Sequence, residues 1–209
     1  ERCFADNKTD TAKSLYEALL EDNLNEEQSR SAWYGMAWCH LRAKDDANAA
    51  LGFGKVGDTP IELEMVQDAM MQRGEIAFRQ EKFADAATHF TTVATGPKAP
   101  RCERAWYMAG WCARKLADTA AAAKAFQSQL MAYPKGELAA DAALRAAEAL
   151  ALQGKHAAAA AVLAPFAKNT ATASEDSLVQ LIGIEAERKE WREVITLSDT
   201  FKKQYPESR

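Results

Sequence analysis

Apolar residues recur three and four positions apart along almost the whole chain, interrupted at intervals by short clusters of glycine, proline and charge. That spacing gathers them on one face of an α-helix, so the pattern predicts a succession of amphipathic helices and an all-α fold. A finer regularity lies inside it. An alanine followed four residues later by one bulky apolar residue, and three after that by another, appears as Ala12/Tyr16/Leu19, Ala49/Phe53/Val56, Ala86/Phe90/Val93 and Ala159/Leu163/Phe166. Looser versions are Ala122/Phe126/Gln129 and Val194/Ser198/Phe201, and the six leading residues are separated by 37, 37, 36, 37 and 35.

A second helical stretch fits between successive members, which gives a helix-turn-helix unit of about 34 to 37 residues. The segment Ala32-Trp33-Tyr34-Gly35-Met36-Ala37-Trp38-Cys39 returns as Ala105-Trp106-Tyr107-Met108-Ala109-Gly110-Trp111-Cys112, offset by 73 residues, two units on. Breakers fall where such units end. Gly57-Asp58-Thr59-Pro60, Gly96-Pro97-Lys98-Ala99-Pro100, Pro134-Lys135-Gly136 and Pro206 close the second helices, because proline cannot continue a helix and glycine readily caps one. Gly154-Lys155-His156 and Glu190-Trp191 occupy turns within units.

These residues resemble the tetratricopeptide repeat family, whose pattern W-x2-L-G-x2-Y, then A-x3-F, then P can be laid on the sequence. One unit carries Trp106, Ala109, Gly110, Ala122, Phe126 and Pro134 in order; the first carries Trp33, Met36, Ala37, Ala49 and Phe53; the second Gly74, Phe83, Ala86 and Phe90. The fourth keeps Ala147, Gly154 and Ala159, the fifth Leu181, Trp191 and Pro206. The resemblance implies a single right-handed superhelical solenoid of about eleven helices: an extra helix near 9–22, then hairpins near 30–63, 67–100, 103–136, 140–173 and 175–208. A weaker resemblance concerns the endings Tyr133-Pro134-Lys135-Gly136 and Tyr205-Pro206-Glu207-Ser208. They are similar to helix ends of exported bacterial adaptors, the Tol-Pal coordinator and the outer-membrane assembly lipoproteins. That implies a periplasmic or envelope-associated protein, with a cytoplasmic one as the alternative.

Composition adjusts this reading only a little. Alanine runs at 120–123 and 157–161 favour helix. The net charge of −4, from 26 basic and 30 acidic residues interspersed along the chain, offers no nucleic-acid or acidic-membrane footprint. The longest apolar stretch, 157–167, contains Pro165 and is far shorter than the roughly 20 residues of a membrane span. The chain begins at Glu1 with no basic and apolar leader after it. Either a targeting segment has been removed or the chain is a fragment of a longer protein.

Candidate chemistry is thin. Gly52-Phe53-Gly54-Lys55-Val56-Gly57 matches G-x-G-x-x-G, but a dinucleotide site needs that motif between a strand and a helix start. Here it falls at the end of a second helix. His40, His89 and His156 lie in different units, whereas zinc needs four converging ligands. No catalytic residue, metal or cofactor is expected. Cys39 and Cys112 hold equivalent places two units apart, and Cys102 and Cys112 are ten residues apart on one predicted helix, about 15 Å, too far to bridge. A Cys3–Cys39 bridge stays open.

The first helices carry the more informative pattern. Tyr34, Trp38 and Arg42 are four apart and share one face; the next unit offers Met71, Glu75, Phe78 and Arg79, and the third Tyr107, Trp111, Arg114 and Lys115. The family resemblance implies that this face lines a concave groove. Aromatic rings beside arginine suit capture of a peptide or protein segment, with Arg42, Arg79, Arg114 and Lys115 available to a partner carboxylate. Packing between successive first helices is the competing use of the same residues. The expectation is a non-catalytic protein-interaction module working mainly through residues 31–115. The alternative is a structural subunit that uses its ends or convex face.

Overall fold

The computed structural model describes residues 9–57, 64–97, 100–169 and 173–208. Among them are eleven helices, α1 Thr9–Glu21, α2 Glu26–Arg42, α3 Asp46–Val56, α4 Glu64–Arg79, α5 Phe83–Thr95, α6 Pro100–Lys115, α7 Thr119–Ala132, α8 Ala139–Leu152, α9 His156–Ala167, α10 Glu175–Glu187 and α11 Trp191–Gln204, and no strand. They form two compact units, one reaching Ala105 and the other starting at Trp106, so that α6 contributes a turn and a half to the first and the remainder to the second. The α2–α3, α4–α5, α6–α7, α8–α9 and α10–α11 pairs are the five hairpins.

Each hairpin turns in the same way. Lys44, Glu81, Ala117, Gly154 and Lys189 adopt positive φ values of 60°, 59°, 57°, 71° and 60°, and each is followed by a residue whose N–H returns to a carbonyl five positions back. The pairs are Asp45 to His40, Lys82 to Ala77, Asp118 to Ala113, Lys155 to Leu150 and Glu190 to Glu185, at 2.9 to 3.0 Å. This is the left-handed helix stop that satisfies orphan carbonyls. Only one of the five positions is the glycine such a turn prefers. Asp45 and Asp118 then cap the second helix by accepting from Asn48 and Ala121 N–H, as short polar side chains do.

Packing within hairpins rests on an aromatic ring from the second helix. Phe53, Phe90 and Phe126 are 0% exposed. Phe90 lies on Gly74 and Phe126 on Gly110 of their own first helices, where a Cβ would meet the ring at 2.7 and 2.6 Å. Those glycines let the helices close. In the first unit Phe53 centres a core with Ala37, Ala49, Val56, Val66, Ala69 and Ile76. In the second unit Phe126, Leu163, Leu178 and Leu181 are set among many alanines, including Ala142, Ala143, Ala146 and Ala147. Small side chains there let helices approach closely.

The G-x-G-x-x-G segment lies in the last turns of α3, with Phe53 in the core and Gly57 ending the helix at φ +89°. It is a helix end, and no strand precedes it among the described residues. Asp58, Thr59 and Pro60 of the turn expected there, and Lys98 and Ala99 of the next, lie outside the described residues. Cys39, Cys102 and Cys112 are buried free thiols; Cys3 lies outside the described residues, and with it the pairing left open for Cys39.

Candidate functional site

In the first unit the i, i+4 spacing of Tyr34 and Trp38 brings their rings into edge contact at 6.3 Å, and both stand edge-on to Phe53, at 6.0 and 5.7 Å. Such geometry stabilises aromatic clusters beyond area burial. The Tyr34 hydroxyl donates to Asp68 Oδ2 of α4 at 2.6 Å, fixing the ring against the next first helix. Burial, reinforced by that hydrogen bond, pushes the phenol up to about 12. Asp68 is 3.8 Å from Arg101, whose guanidinium also reaches the Glu64 carbonyl and carboxylate at 2.9 and 3.1 Å.

Beside this cluster opens a pocket of about 730 Å³. Its walls are Tyr16 and Leu19 of α1, Leu24 of the connection, Glu27, Gln28, Ser31, Tyr34 and Trp38 of α2 and Met65 of α4. It is mostly apolar, and its size is that of a pocket able to enclose several side chains. Two of the residues expected on a binding face, Tyr34 and Trp38, therefore share one cavity. Leu19 and Tyr16 were not singled out for this by the sequence, although Tyr16 holds the register of Phe53.

Other expected groove residues are placed differently. Met71 is 4% exposed; the flexible thioether fills space inside the unit and presents no surface, which corrects its assignment to a binding face. Phe78 stands edge-on to Phe83 at 5.3 Å and secures the α4–α5 turn. Arg79 forks onto Asp46 of α3, with Nη2 and Nε at 2.7 and 3.2 Å from its two oxygens, so this guanidinium already holds a carboxylate. Arg42 is exposed at the end of α2.

The second unit repeats the tyrosine contact and then surrounds it with charge. Tyr107 donates to Asp141 Oδ2 of α8, and burial raises its pKa. Its ring is 6.2 Å from Trp111 and 5.7 Å from Phe126. The guanidinium carbons of Arg114 and Arg145 lie 4.9 and 5.5 Å from the centre of the Trp111 ring, within cation–π range. Arg114 pairs with Glu148, and Arg145 binds Glu148 at 2.8 Å and Asp141 at 3.2 Å. Burial works against the Arg145 charge, but Glu148 and Asp141 outweigh it and raise its pKa. Lys115 is exposed. Arg114 is thus already matched by a carboxylate of this chain. The signal for these partners was present in the sequence as an aspartate 34 residues after each tyrosine, Tyr34 to Asp68 and Tyr107 to Asp141.

His40 Nδ1 lies 3.0 Å from Asp45 Oδ2 beside the α3 cap, a packing role. No group of three or more histidine, cysteine, aspartate and glutamate side chains among the described residues could hold a metal ion. No helix among them is long and apolar enough to cross a membrane.

The sequence profile described as Tetratricopeptide repeat matches residues 4–57 and 71–137. Among the curated proteins no relative matches. Solved structures resemble the fold: the MamA protein, at 12% identity and TM-score 0.66, over 86% of this chain and 93% of that one; pilF of Pseudomonas aeruginosa, at 16% and 0.59, over 99% and 88%; and YrrB, a repeat protein described as having an unusual peptide-binding site, at 16% and 0.66, over 94% and 95%. With five hairpins of one turn geometry, rings seated on first-helix glycines and a profile matched over more than half its length, the chain belongs to the tetratricopeptide repeat family.

Proposed function

We propose that the protein is a non-catalytic interaction module that holds a peptide or protein segment against the aromatic face of its first unit. The observation that carries this reading is the apolar pocket of about 730 Å³ whose wall includes Tyr34 and Trp38. Large rigid rings beside an open cavity are what interface anchors use. The second unit contributes less to capture, because Trp111 is covered by two arginines that are themselves bound to carboxylates. The peptide site in the description of YrrB accords with this use of the fold.

Selection of peptides from a random library on the intact chain, followed by binding measurements on Ser31→Trp and Trp38→Ala, tests the reading. Ser31 is exposed and lines the pocket, so a tryptophan there fills the cavity without entering the core. Loss of binding in both variants is expected. Unchanged affinity in Ser31→Trp refutes the site.

A structural-subunit role has one observation in its favour. Gln127, Leu130 and Met131 of second helix α7, Pro134 just after it, and Val162 and Phe166 of second helix α9 line an apolar hollow of about 430 Å³, and Met131 is 86% exposed. Concentration-dependent sedimentation that disappears in Met131→Lys would support that role. The Tyr-Pro helix ends further support a place in the bacterial envelope, and fractionation of cells producing the full-length protein tests it.

A further inference from the structure

A surface helix buries one stripe and turns polar residues to water. The second helix α5 does so, with Asp85, Thr88, Thr91 and Thr95 exposed. In the second unit α7 and α9 depart from this rule. α9 contains no acidic or basic side chain other than His156, and its exposed positions are Ala157, Ala158, Ala161 and Pro165. α7 carries a single charge, Lys124, and ends in the exposed Met131 and Ala132. The apolar hollow of about 430 Å³ is walled by these two helices and Pro134. Its lining residues all lie between positions 127 and 166, with described helices before and after them in the chain.

Inside the hollow, Leu130, Met131, Val162 and Phe166 supply the apolar surface, and half-buried Gln127 is the one polar side chain besides them. That amide makes no hydrogen bond among the described residues. An apolar concavity with one unspent amide suits a bulky apolar side chain of another polypeptide, whose backbone the amide can meet.

Charge narrows the occupant. Among the described helices, α7 and α9 are the two that hold no carboxylate. The sequence contains no aspartate or glutamate over 119–136 or over 149–174, and these stretches hold four lysines, Lys124, Lys135, Lys155 and Lys168. Lys168 is bound to Glu193 of α11, and Lys155 donates to Gln153 at 2.8 Å. Lys124 and Lys135 are exposed and make no ion pair among the described residues. Lys124 shares one stripe of α7 with Gln127 and Met131, three and seven residues on, and Lys135 directly follows Pro134. Two unspent ammonium groups thus bracket the α7 side of the hollow along the chain. A second copy meeting this surface with the same surface would set lysine against lysine; carboxylates on either side of an apolar residue complement it.

We infer that the α7–α9 hollow is a second docking surface, separate from the first-unit pocket, for an acidic segment of a partner protein. That segment places one or two bulky apolar residues in the hollow and flanks them with aspartate or glutamate facing Lys124 and Lys135.

The test uses the intact chain and three short synthetic peptides. The first has a central pair of leucines flanked on both sides by glutamate, the second has the same leucines flanked by lysine, and the third keeps the glutamates with alanine in place of leucine. Affinity is measured at low and at high salt, with amide shifts recorded on the labelled chain. The leucine–glutamate peptide is expected to bind at least about tenfold more tightly than either other probe, to weaken with salt and to shift Gln127, Met131 and Val162. Lys124→Ala and Lys135→Ala are each expected to weaken it by about two- to fivefold, the size of one exposed ion pair. Met131→Glu, at a side chain outside the core, is expected to abolish it, and Met131→Leu to retain it. Equal binding of the glutamate and lysine peptides, binding insensitive to Met131→Glu, or no binding of the leucine–glutamate peptide overturns the inference. Binding lost in Ser31→Trp would assign that peptide to the first-unit pocket and overturn the second site while leaving the first. Binding of phosphatidylglycerol vesicles in preference to the peptide would give the surface to a lipid, and self-association abolished by Met131→Glu would give it to a second copy of this chain; either result overturns the assignment to a partner protein.

Discussion

Gly110→Ala and Gly183→Ala are the same chemical change in the same unit, and the structure gives them different consequences. Gly110 is within α6 against Phe126, and a Cβ would approach two ring carbons to 2.6 Å, far inside the 3.5 to 4.0 Å or so of normal carbon contact. Phe126 has no exposed surface and is itself backed by Tyr107 at 5.7 Å, so it cannot swing aside. Forcing one methyl into a closed core costs about 1–3 kcal/mol. Alanine regains about 1 kcal/mol through helix propensity. At Gly183, within α10, the added Cβ meets nothing within 4 Å, and only the propensity gain remains. Propensity cancels between the two variants, leaving a gap of about 1–3 kcal/mol that is the steric contact alone. Urea denaturation followed by helical circular dichroism reads it. Gly183→Ala moves the midpoint above that of the wild type, and Gly110→Ala falls below Gly183→Ala. Coincident midpoints for the two variants would refute the ring-on-glycine account of hairpin closure.

Three further outcomes follow from the same geometry. Ala117 holds φ 57° in a turn where the corresponding residue of the α8–α9 hairpin is Gly154, so Ala117→Gly should stabilise the chain by about 1 kcal/mol, and a destabilised variant in the same urea assay would contradict the turn assignment. The Tyr34 phenol is raised to about 12 in the folded chain, above its ordinary value near 10. Its contribution is therefore complete below about pH 10 and is lost as pH rises from there through about 12. The stability advantage of the wild type over Tyr34→Phe should shrink across that window, and a difference independent of pH would show that the phenol is not held as described. Burial pushes the Cys112 thiol up to about 12 and raises that of Cys39, and both side chains are closed to solvent. In a Cys3→Ser background an aromatic disulfide reagent at pH 8 should label neither until urea unfolds the chain; prompt labelling of the native protein would contradict their burial.

Helix positions were legible because burial repeats with the helical period, and Phe53, Phe90 and Phe126 mark it without ambiguity. The turns were half legible. Gly154 announces its left-handed residue, but Lys44, Glu81, Ala117 and Lys189 take the same conformation without any such sign, since the hydrogen bonds of the helix stop outweigh the strain. The shared face of Tyr34 and Trp38 could be read from their spacing. Its occupants could not, because Met71 at the matching position is a core residue, and Arg79 and Arg114 meet Asp46 and Glu148 from other helices. One-dimensional periodicity specifies which side of a helix a residue is on. It does not specify what the neighbouring helix brings to that side.

The central claim is that partners are held at the first-unit aromatic pocket. Site-resolved amide shifts of the labelled intact chain, titrated with a library-selected peptide, test it most directly. The account predicts shifts concentrated on Tyr16, Leu24, Ser31 and the Trp38 indole, abolished by Ser31→Trp. Shifts confined to Leu130, Met131 and Phe166, or unchanged by that substitution, would contradict it.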